Sequence, residues 1–381
     1  MKYDVIVVGS GPSGAVVSYE LARQGVKVLI IEKSKLPRYK PCGGGITKKT
    51  LDELPIGIQP TIEVESEGGI FSFGGKQLFK INIQRPVAWL VMRDSFDYFL
   101  VQKAIEAGAS LMDSTRVLTL DQRDKDITIS TNKGKYHSQI LVGADGVNSI
   151  IARSLNLINN RKTGVAIEAE VSVPLENLKE QGAYATFDFG ALPNGYGWIF
   201  PKKDHLSIGV FHAKNGKLPS IKNYLRQFIE SHNVLAKHEY INICGHRIPL
   251  GGNTGELHSK RAILVGDAAN LADPWLGEGI YYAVHSARIA SKVIINSLDK
   301  DVARIREYSQ IIFNDIGMQF EQARRLAGLT YKFPKLCSNL LKNSADLQEI
   351  IFGTIRGDYK FQQTNLSLLK KIPRIILQSL K

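Results

Sequence analysis

The first apolar run, YDVIVV at residues 3–8, is short, β-branched and ended by glycine, as expected of a strand buried on both faces in a parallel sheet. Residues 12–24 have helical composition, Gly25 stops them, and VKVLIIE at 26–32 repeats the buried-strand pattern. The chain therefore opens on a βαβ unit. Residues 56–84 hold short alternating strands and Gly-Gly turns. AWLVMR at 88–93 then reads as a strand, and the next stretch as a helix capped by Asp94 and ended by Gly108. SQILVGADG at 138–146 is another buried strand. From about 160 to 244 the pattern changes to longer alternating strands, among them GVAIEAEVSV and GYGWIFPKKDHLSIGVF, which suits an antiparallel sheet inserted into the first domain. RAILVGDAA at 261–269 returns to the buried style, EGIYYAVHSARIASKVIINSL reads as a helix, and the chain beyond 300 is mostly helical.

Length and charge narrow this picture. A chain of 381 residues suits two connected domains and an appendage. The formal charge is +13, and residues 331–381 carry nine Lys/Arg against three Asp/Glu, a bias that suits anionic partners. The tail LSLLKKIPRIILQSLK, with Lys370, Lys371 and Arg374, either lies on an anionic membrane or packs on the body, and Pro373 is expected to interrupt its helix. No run reaches 18 apolar residues and no leader pattern precedes the first strand, so the expected location is cytoplasmic, with membrane association through the tail as an option. Cys42, Cys244 and Cys337 show neither disulfide nor zinc spacing, and His205, His212, His246 and His285 show no ligand spacing. No metal and no nucleic acid are expected.

GSGPSG at 9–14 matches GxGxxG between a first strand and a first helix. Gly9 allows the tight turn, Gly11 lets a pyrophosphate approach the backbone, Gly14 lets helix and strand pack, and the helix N-terminus offers amide donors. Glu32, at the end of the second strand, can accept both hydroxyls of an adenosine ribose. This constellation predicts dinucleotide binding and leaves NAD and FAD open. In ILVGDAANLADPWLGEGI, at 263–280, Asp267 can meet a sugar or ribityl hydroxyl, and the helix opened by LGEGI can face the pyrimidine edge of a flavin. Ser10, Ser13 and Ser149 lie in the nucleotide motifs and lack the context of a hydrolase nucleophile.

Together with VGADGVNS at 142–149, these segments resemble the flavoprotein group of aromatic hydroxylases, halogenases and geranylgeranyl reductases over roughly residues 1–295. The resemblance implies that Gly9, Gly11, Gly14, Glu32, Asp145, Gly146, Gly266 and Asp267 hold FAD. It also implies that Arg93 lies near the FAD pyrophosphate, the other reading being a surface arginine at a helix start. Pro12, Ser13, Lys33, Cys42, Gly43, Gly277, Gly279 and Ile280, neighbours in the same segments, complete the expected cofactor contacts. The implied fold is α/β: a Rossmann-like FAD-binding domain (1–55, 85–159 and 245–298), an inserted antiparallel-sheet substrate domain (56–84 and 160–244), and a helical C-terminal region (299–381).

Two stretches are similar to the geranylgeranyl reductases in particular. PNGYGWIFP resembles their PxxYxWxFP element through Pro193, Tyr196, Trp198, Phe200 and Pro201, and YKPCGGG resembles their cysteine loop. Spacing alone puts Tyr196, Trp198 and Phe200 on one strand face, which suits either core or a ligand wall. The resemblance implies a substrate pocket of Tyr196, Trp198, Phe200 and Pro201, with Cys42, Tyr196 and Trp198 as catalytic residues. A thiol with a pKa near ~8.5 is mostly protonated at neutral pH, so Cys42 is the expected proton donor, with Lys40 as a cation able to favour its thiolate. The other reading of Cys42 is a shape element of the loop. The implied activity is FAD-dependent saturation of double bonds in a geranylgeranyl chain carried by a diphosphate, an ether lipid or a pigment. The reductant would be NADPH, NADH or a small electron carrier. A flavin monooxygenase or halogenase, and a non-catalytic flavin-bearing lipid carrier, are the alternatives.

Overall fold

The structure is a computed structural model that describes residues 2–82, 86, 88–158, 161–213, 220–251 and 255–379, without the side chains beyond 371. The opening run forms β1 (Lys2–Val8), followed by α1 (Pro12–Ala22) and β2 (Val28–Ile31). β1 pairs in parallel with β2 and with β11 (Gly134–Gly143), and β2 pairs in parallel with β8 (Ser110–Met112). The far edge of β11 is shared: its first half carries the antiparallel β10 (Ile127–Thr131) and β9 (Val117–Gln122), and its last three residues pair in parallel with β17 (Ala262–Leu264). Four parallel strands, β1, β2, β11 and β17, thus end at one edge, where α/β sheets bind ligands. Helix α3 (Arg93–Glu106) packs beside α1. Asp94 does not cap it as the sequence suggested; the cap position is Met92, and Asp94 accepts from its neighbour Ser95 instead.

A second sheet runs in the order β16 (Glu239–Pro249), β12 (Thr163–Ser172), β15 (Leu206–His212), β14 (Gly195–Pro201), β13 (Tyr184–Asp188), β5 (Gly68–Phe73) and β6 (Lys76–Asn82). Its neighbours are antiparallel except β5 and β13, which run parallel. β16 continues to Pro249, past the boundary at 245 expected from sequence. The pleat sorts its residues. Ile167, Ala169, Val171, Ile199, Ile208 and Val210 are buried with Leu225, Phe228 and Ile229 of α6 (Ile221–Glu230), while Leu178 of α5 (Leu175–Gln181) packs on the rim of this core. The alternate residues face the first domain. A small sheet of β3 (Gly45–Thr47), β7 (Ala88–Val91) and β4 (Ile62–Glu65) joins the two layers.

Helices α2 (Lys48–Glu53), α4 (Ile150–Ser154) and α7 (Ile280–Asp299) complete the first domain. The C-terminal helices are α8 (Glu307–Ile312), α9 (Met318–Lys332), α10 (Pro334–Lys342), α11 (Ala345–Arg356) and α12 (Phe361–Ser379). α12 runs through Pro373 rather than stopping there. Leu368 is buried and Lys371 pairs with Asp346 at 2.6 Å, so its first turns pack on the other helices; Arg374's side chain lies outside the described residues. Among the described residues no helix is long and apolar enough to cross a membrane.

One clasp ties these parts together. His285 of α7 bonds Glu53 of α2 through Nδ1 (2.8 Å) and Asp315 through Nε2 (2.6 Å). Burial opposes its charge, but the bonds to Asp315 and Glu53 prevail and push it up to about 9 from an ordinary 6.5. A folded-state value above the unfolded one gives stability that is complete below the unfolded value and lost as pH rises through the folded one. His285→Gln should therefore cost about 2–3 kcal/mol near pH 6 and almost nothing near pH 10, measured by urea unfolding at both. An equal cost at both pH values would assign the effect to packing.

Candidate active site

The ends of the four parallel strands carry four of the sequence motifs. After β1 the chain turns at Gly9, whose φ of +105° and whose missing Cβ, which would lie 2.2 Å from Ala144 O, both demand glycine. A Cβ on Gly14 would meet Gly9 O at 2.0 Å. At Gly11 the nearest atom to such a Cβ is Arg38 Nη2 at 3.8 Å, so open space next to a guanidinium faces the backbone where a pyrophosphate is expected. Glu32 Oε2 accepts from Ser10 N (3.1 Å) and Ser10 Oγ (2.7 Å), and Arg38 lies 3.6 Å away. After β11, Asp145 Oδ2 accepts from Ile150 N at 2.7 Å and so starts α4, while its buried Oδ1 has no partner. Burial raises the Asp145 pKa against these bonds. After β17 come Gly266 and Asp267. Arg161, which the sequence did not flag, donates to Val147 O (2.5 Å), Asp267 O (3.2 Å) and Ala268 O (2.7 Å), and locks the third and fourth loops together.

These loops bound a cavity of about 270 Å³ between the two sheets. Gly11, Pro12, Ser13, Cys42, Gly43, Arg93, Gly146, Asp267, Gly277, Gly279 and Ile280 line it, with Tyr196, Trp198 and Phe200 on the opposite wall. Gly9, Gly14 and Gly266 sit behind the wall as packing positions, and Glu32 and Asp145 also lie outside it. Lys33 is exposed and off the wall. Pro201, one residue beyond Phe200, takes the other face of β14 and does not line the cavity as expected.

The cysteine loop is pinned from below. Lys202, whose side chain is fully buried, donates to Gly43 O (2.9 Å) and Val91 O (3.0 Å). A Cβ on Gly43 would lie 2.7 Å from Phe200, and one on Gly44 2.0 Å from Val91 O, so the loop is pressed onto the aromatic wall and β7. Gly44 N donates to Cys42 Sγ at 3.4 Å. Arg93 is not a surface arginine: it is buried, holds Asp97 through Nε (2.8 Å) and Nη2 (2.9 Å), and lines the cavity together with Cys42. Burial opposes the Arg93 charge, and Asp97 more than restores it. Lys40, expected beside the thiol, instead pairs with Asp267 at 3.5 Å, because that carboxylate is the anion facing it across the cavity.

The opposite wall is aromatic. Tyr196 and Trp198 stand 6.3 Å apart, Trp198 and Phe200 6.4 Å, and Phe187 packs on Phe200 at 5.4 Å. Trp198 fits because Gly209 stands opposite it; a Cβ there would lie 2.2 Å from the indole. Tyr196 Oη donates to Leu276 O at 2.7 Å, and burial raises its pKa, so the phenol stays neutral. Two further wall residues were not expected in the site: His246, read only as a histidine without ligand spacing, and Glu168, which drew no reading. His246 is pushed down to about 4 by burial and by Lys40, and its Nε2 is buried without a partner. Glu168 is pushed up to about 9 by burial and by Glu170. Both lie on alternating strands, where one sequence cannot say which face meets a cavity. A second, almost wholly apolar cavity of about 210 Å³ lies between this wall and α9–α11, and shares Phe187, Leu276 and Ile355 with the first.

Residues 2–311 match the FAD binding domain family. An uncharacterised protein of Methanosarcina barkeri is 33% identical over 84% of this chain and 82% of its own length. A digeranylgeranylglycerophospholipid reductase of Methanopyrus kandleri is 28% identical over 86% of this chain and 90% of its own. A geranylgeranyl diphosphate reductase of Rhodobacter capsulatus is 29% identical over 77% of this chain and 75% of its own. Among solved structures, a geranylgeranyl bacteriochlorophyll reductase-like protein of Thermoplasma acidophilum superposes with a TM-score of 0.79 at 22% identity, covering 99% of this chain and 98% of that one. A flavin-dependent brominase reaches 0.75 at 19% identity over 98% of this chain and 100% of that one, so the fold alone does not separate reduction from halogenation. The glycine cradle, the guanidinium beside it and the match over most of the chain agree, and the chain belongs to the FAD binding domain oxidoreductases, in the group that includes the geranylgeranyl reductases.

Proposed function

We propose that this protein uses reduced FAD to saturate carbon–carbon double bonds in a geranylgeranyl or similar polyprenyl chain. One observation carries the reading above the others: a cysteine loop and the aromatic wall it packs on line a cavity that adjoins a second apolar cavity. A long isoprenoid needs such a wall, and a small aromatic substrate does not. Relatives named for geranylgeranyl and digeranylgeranylglycerophospholipid reduction support it.

In this reading Gly11, Pro12 and Ser13 would take the pyrophosphate on the α1 N-terminus, with Arg38 behind them, and Glu32 would take the ribose. Asp267 would meet the ribityl chain, and Gly277, Gly279 and Ile280, at the start of α7, would face the ring. When bound and reduced, FAD supplies the hydride that one alkene carbon requires. The protein's own part is to supply the proton for the other carbon and to exclude water. Cys42 Sγ would hold that proton at the cavity wall, and the Gly44 N–H directed at sulfur, together with the nearby Arg93 charge, would stabilise the anion left behind. Tyr196 and Trp198 present π-faces to the same space, which favours positive charge developing on carbon. The electrons reach the flavin from NADPH, NADH or a small carrier.

The test is anaerobic incubation of FAD-loaded protein with dithionite and geranylgeranyl diphosphate, read by mass spectrometry. Products heavier by one hydrogen pair per reduced bond are expected. A product that forms only with oxygen would favour a monooxygenase or halogenase, and an unchanged ligand would favour a carrier.

A further inference from the structure

We propose that Glu168 is the inner end of a proton path that runs from solvent through His205 and Glu170 to the cavity beside Cys42. The inference rests on the reductase reading, because each saturated bond consumes one proton at the cavity.

The path begins at Asp204, whose side chain is 87% exposed and whose Oδ1 lies 2.6 Å from His205 Nδ1. His205 Nε2 lies 3.1 Å from Glu170 Oε2. Glu170 and Glu168 alternate on β12, share the cavity-side face and are both buried. Tyr39 Oη bridges them, 3.2 Å from Glu168 Oε1 and 3.5 Å from Glu170 Oε1. Ser207 Oγ also donates to Glu168 Oε1 at 3.2 Å, so both donors converge on one oxygen. The other oxygen, Oε2, is buried and accepts nothing. A carboxylate would need partners at both oxygens, whereas a carboxylic acid accepts at its carbonyl oxygen and carries a proton on the other.

The surroundings agree. Glu168 faces Glu170 on its own strand, Tyr39 and Cys42 from the loop, Lys202 from the turn after β14, Ser207 of β15, and Cys244 opposite it on β16. Burial and the Glu170 charge outweigh Lys202 and push Glu168 up to about 9. Burial also opposes charge on Glu170, but His205 and Glu168 hold its pKa below the ordinary value, and His205 is raised in turn. The pair thus stores one proton, on the member that lines the cavity. In the step proposed, Cys42 Sγ–H gives its proton to carbon and regains it from Glu168 Oε–H. Glu168 is reprotonated through Glu170 by the His205 imidazolium, which takes a proton from solvent beside Asp204. No electrons move along this path.

The experiment uses FAD-loaded wild type, Glu168→Gln and His205→Gln. Infrared difference spectra before substrate should show a protonated-carboxyl band that disappears in wild type above about pH 9 and is absent in Glu168→Gln. With dithionite and geranylgeranyl diphosphate, steady-state turnover by Glu168→Gln should be at least about tenfold slower than by wild type. His205→Gln should likewise slow steady-state turnover about tenfold, because it cuts the return of a proton to Glu168. A band unaffected by Glu168→Gln, or wild-type rates in both variants, overturns the path. If wild type leaves the substrate untouched, the reductase reading fails instead; the band then decides whether Glu168 stores a proton, and its absence overturns the proposal as well.

Discussion

Cys42→Ala, assayed anaerobically with dithionite-reduced protein, should lower the rate of double-bond saturation by about 10²–10³-fold, the size of a missing general acid. FAD content and the rate of flavin reduction by dithionite should not change, because Cys42 is one contact among several loops around the cavity. Cys42→Ser should be nearly as slow: a hydroxyl fits the space but gives up its proton far less readily. The expected contrast is thus a chemical defect without a binding defect, read as lower kcat at unchanged KM. The loop geometry makes the comparison fair, since its shape is held by Lys202 and by glycines pressed on Phe200 and Val91 rather than by the thiol. Full turnover by both variants would leave Cys42 as a shape element and make Glu168, on the same cavity wall, the direct donor to test next.

Lys202→Met should lower unfolding free energy by about 3–5 kcal/mol, the range for removing one member of a buried charged group. Methionine nearly conserves volume, so packing is spared. The loss comes from Gly43 O and Val91 O, both left without the ammonium donor, and from the charged Glu170, left without the nearby cation. Burial pushes the Lys202 pKa down, so part of the loss is offset by no longer burying a charge. The urea midpoint should fall, and iodoacetamide should alkylate Cys42 faster as its loop is released. Unchanged stability together with unchanged alkylation would show that the loop stands without the lysine.

What could be read from sequence were the features that repeat locally. The βαβ start, the GxGxxG turn, the strand ends at Asp145 and Asp267 and the row Tyr196, Trp198, Phe200 are each written within a few residues, and the cavity gathers Gly11, Gly146, Asp267 and the aromatic row. Where the reading failed, pairing between distant strands decided the outcome. Pro201 was grouped with Phe200 although alternation sends it to the opposite face. Lys40 was assigned to the nearby thiol, but the fold brings Asp267 to it across more than two hundred residues. Glu168 and Lys202 looked like ordinary polar positions in alternating strands. Only the packing of β12 and β14 against the cysteine loop shows that both point inward.

The shared edge of β11 has a consequence for biosynthesis. Its last three residues remain without their parallel neighbour until β17 has been made, more than a hundred residues later and after the whole inserted sheet. The first three motif loops can be in place on a nascent chain while the fourth is still inside the ribosome. Completion of this sheet is thus a late event, and long-range closure of this kind is slow. A chain truncated before residue 262 would have a nucleotide fingerprint and no closed site to use it in.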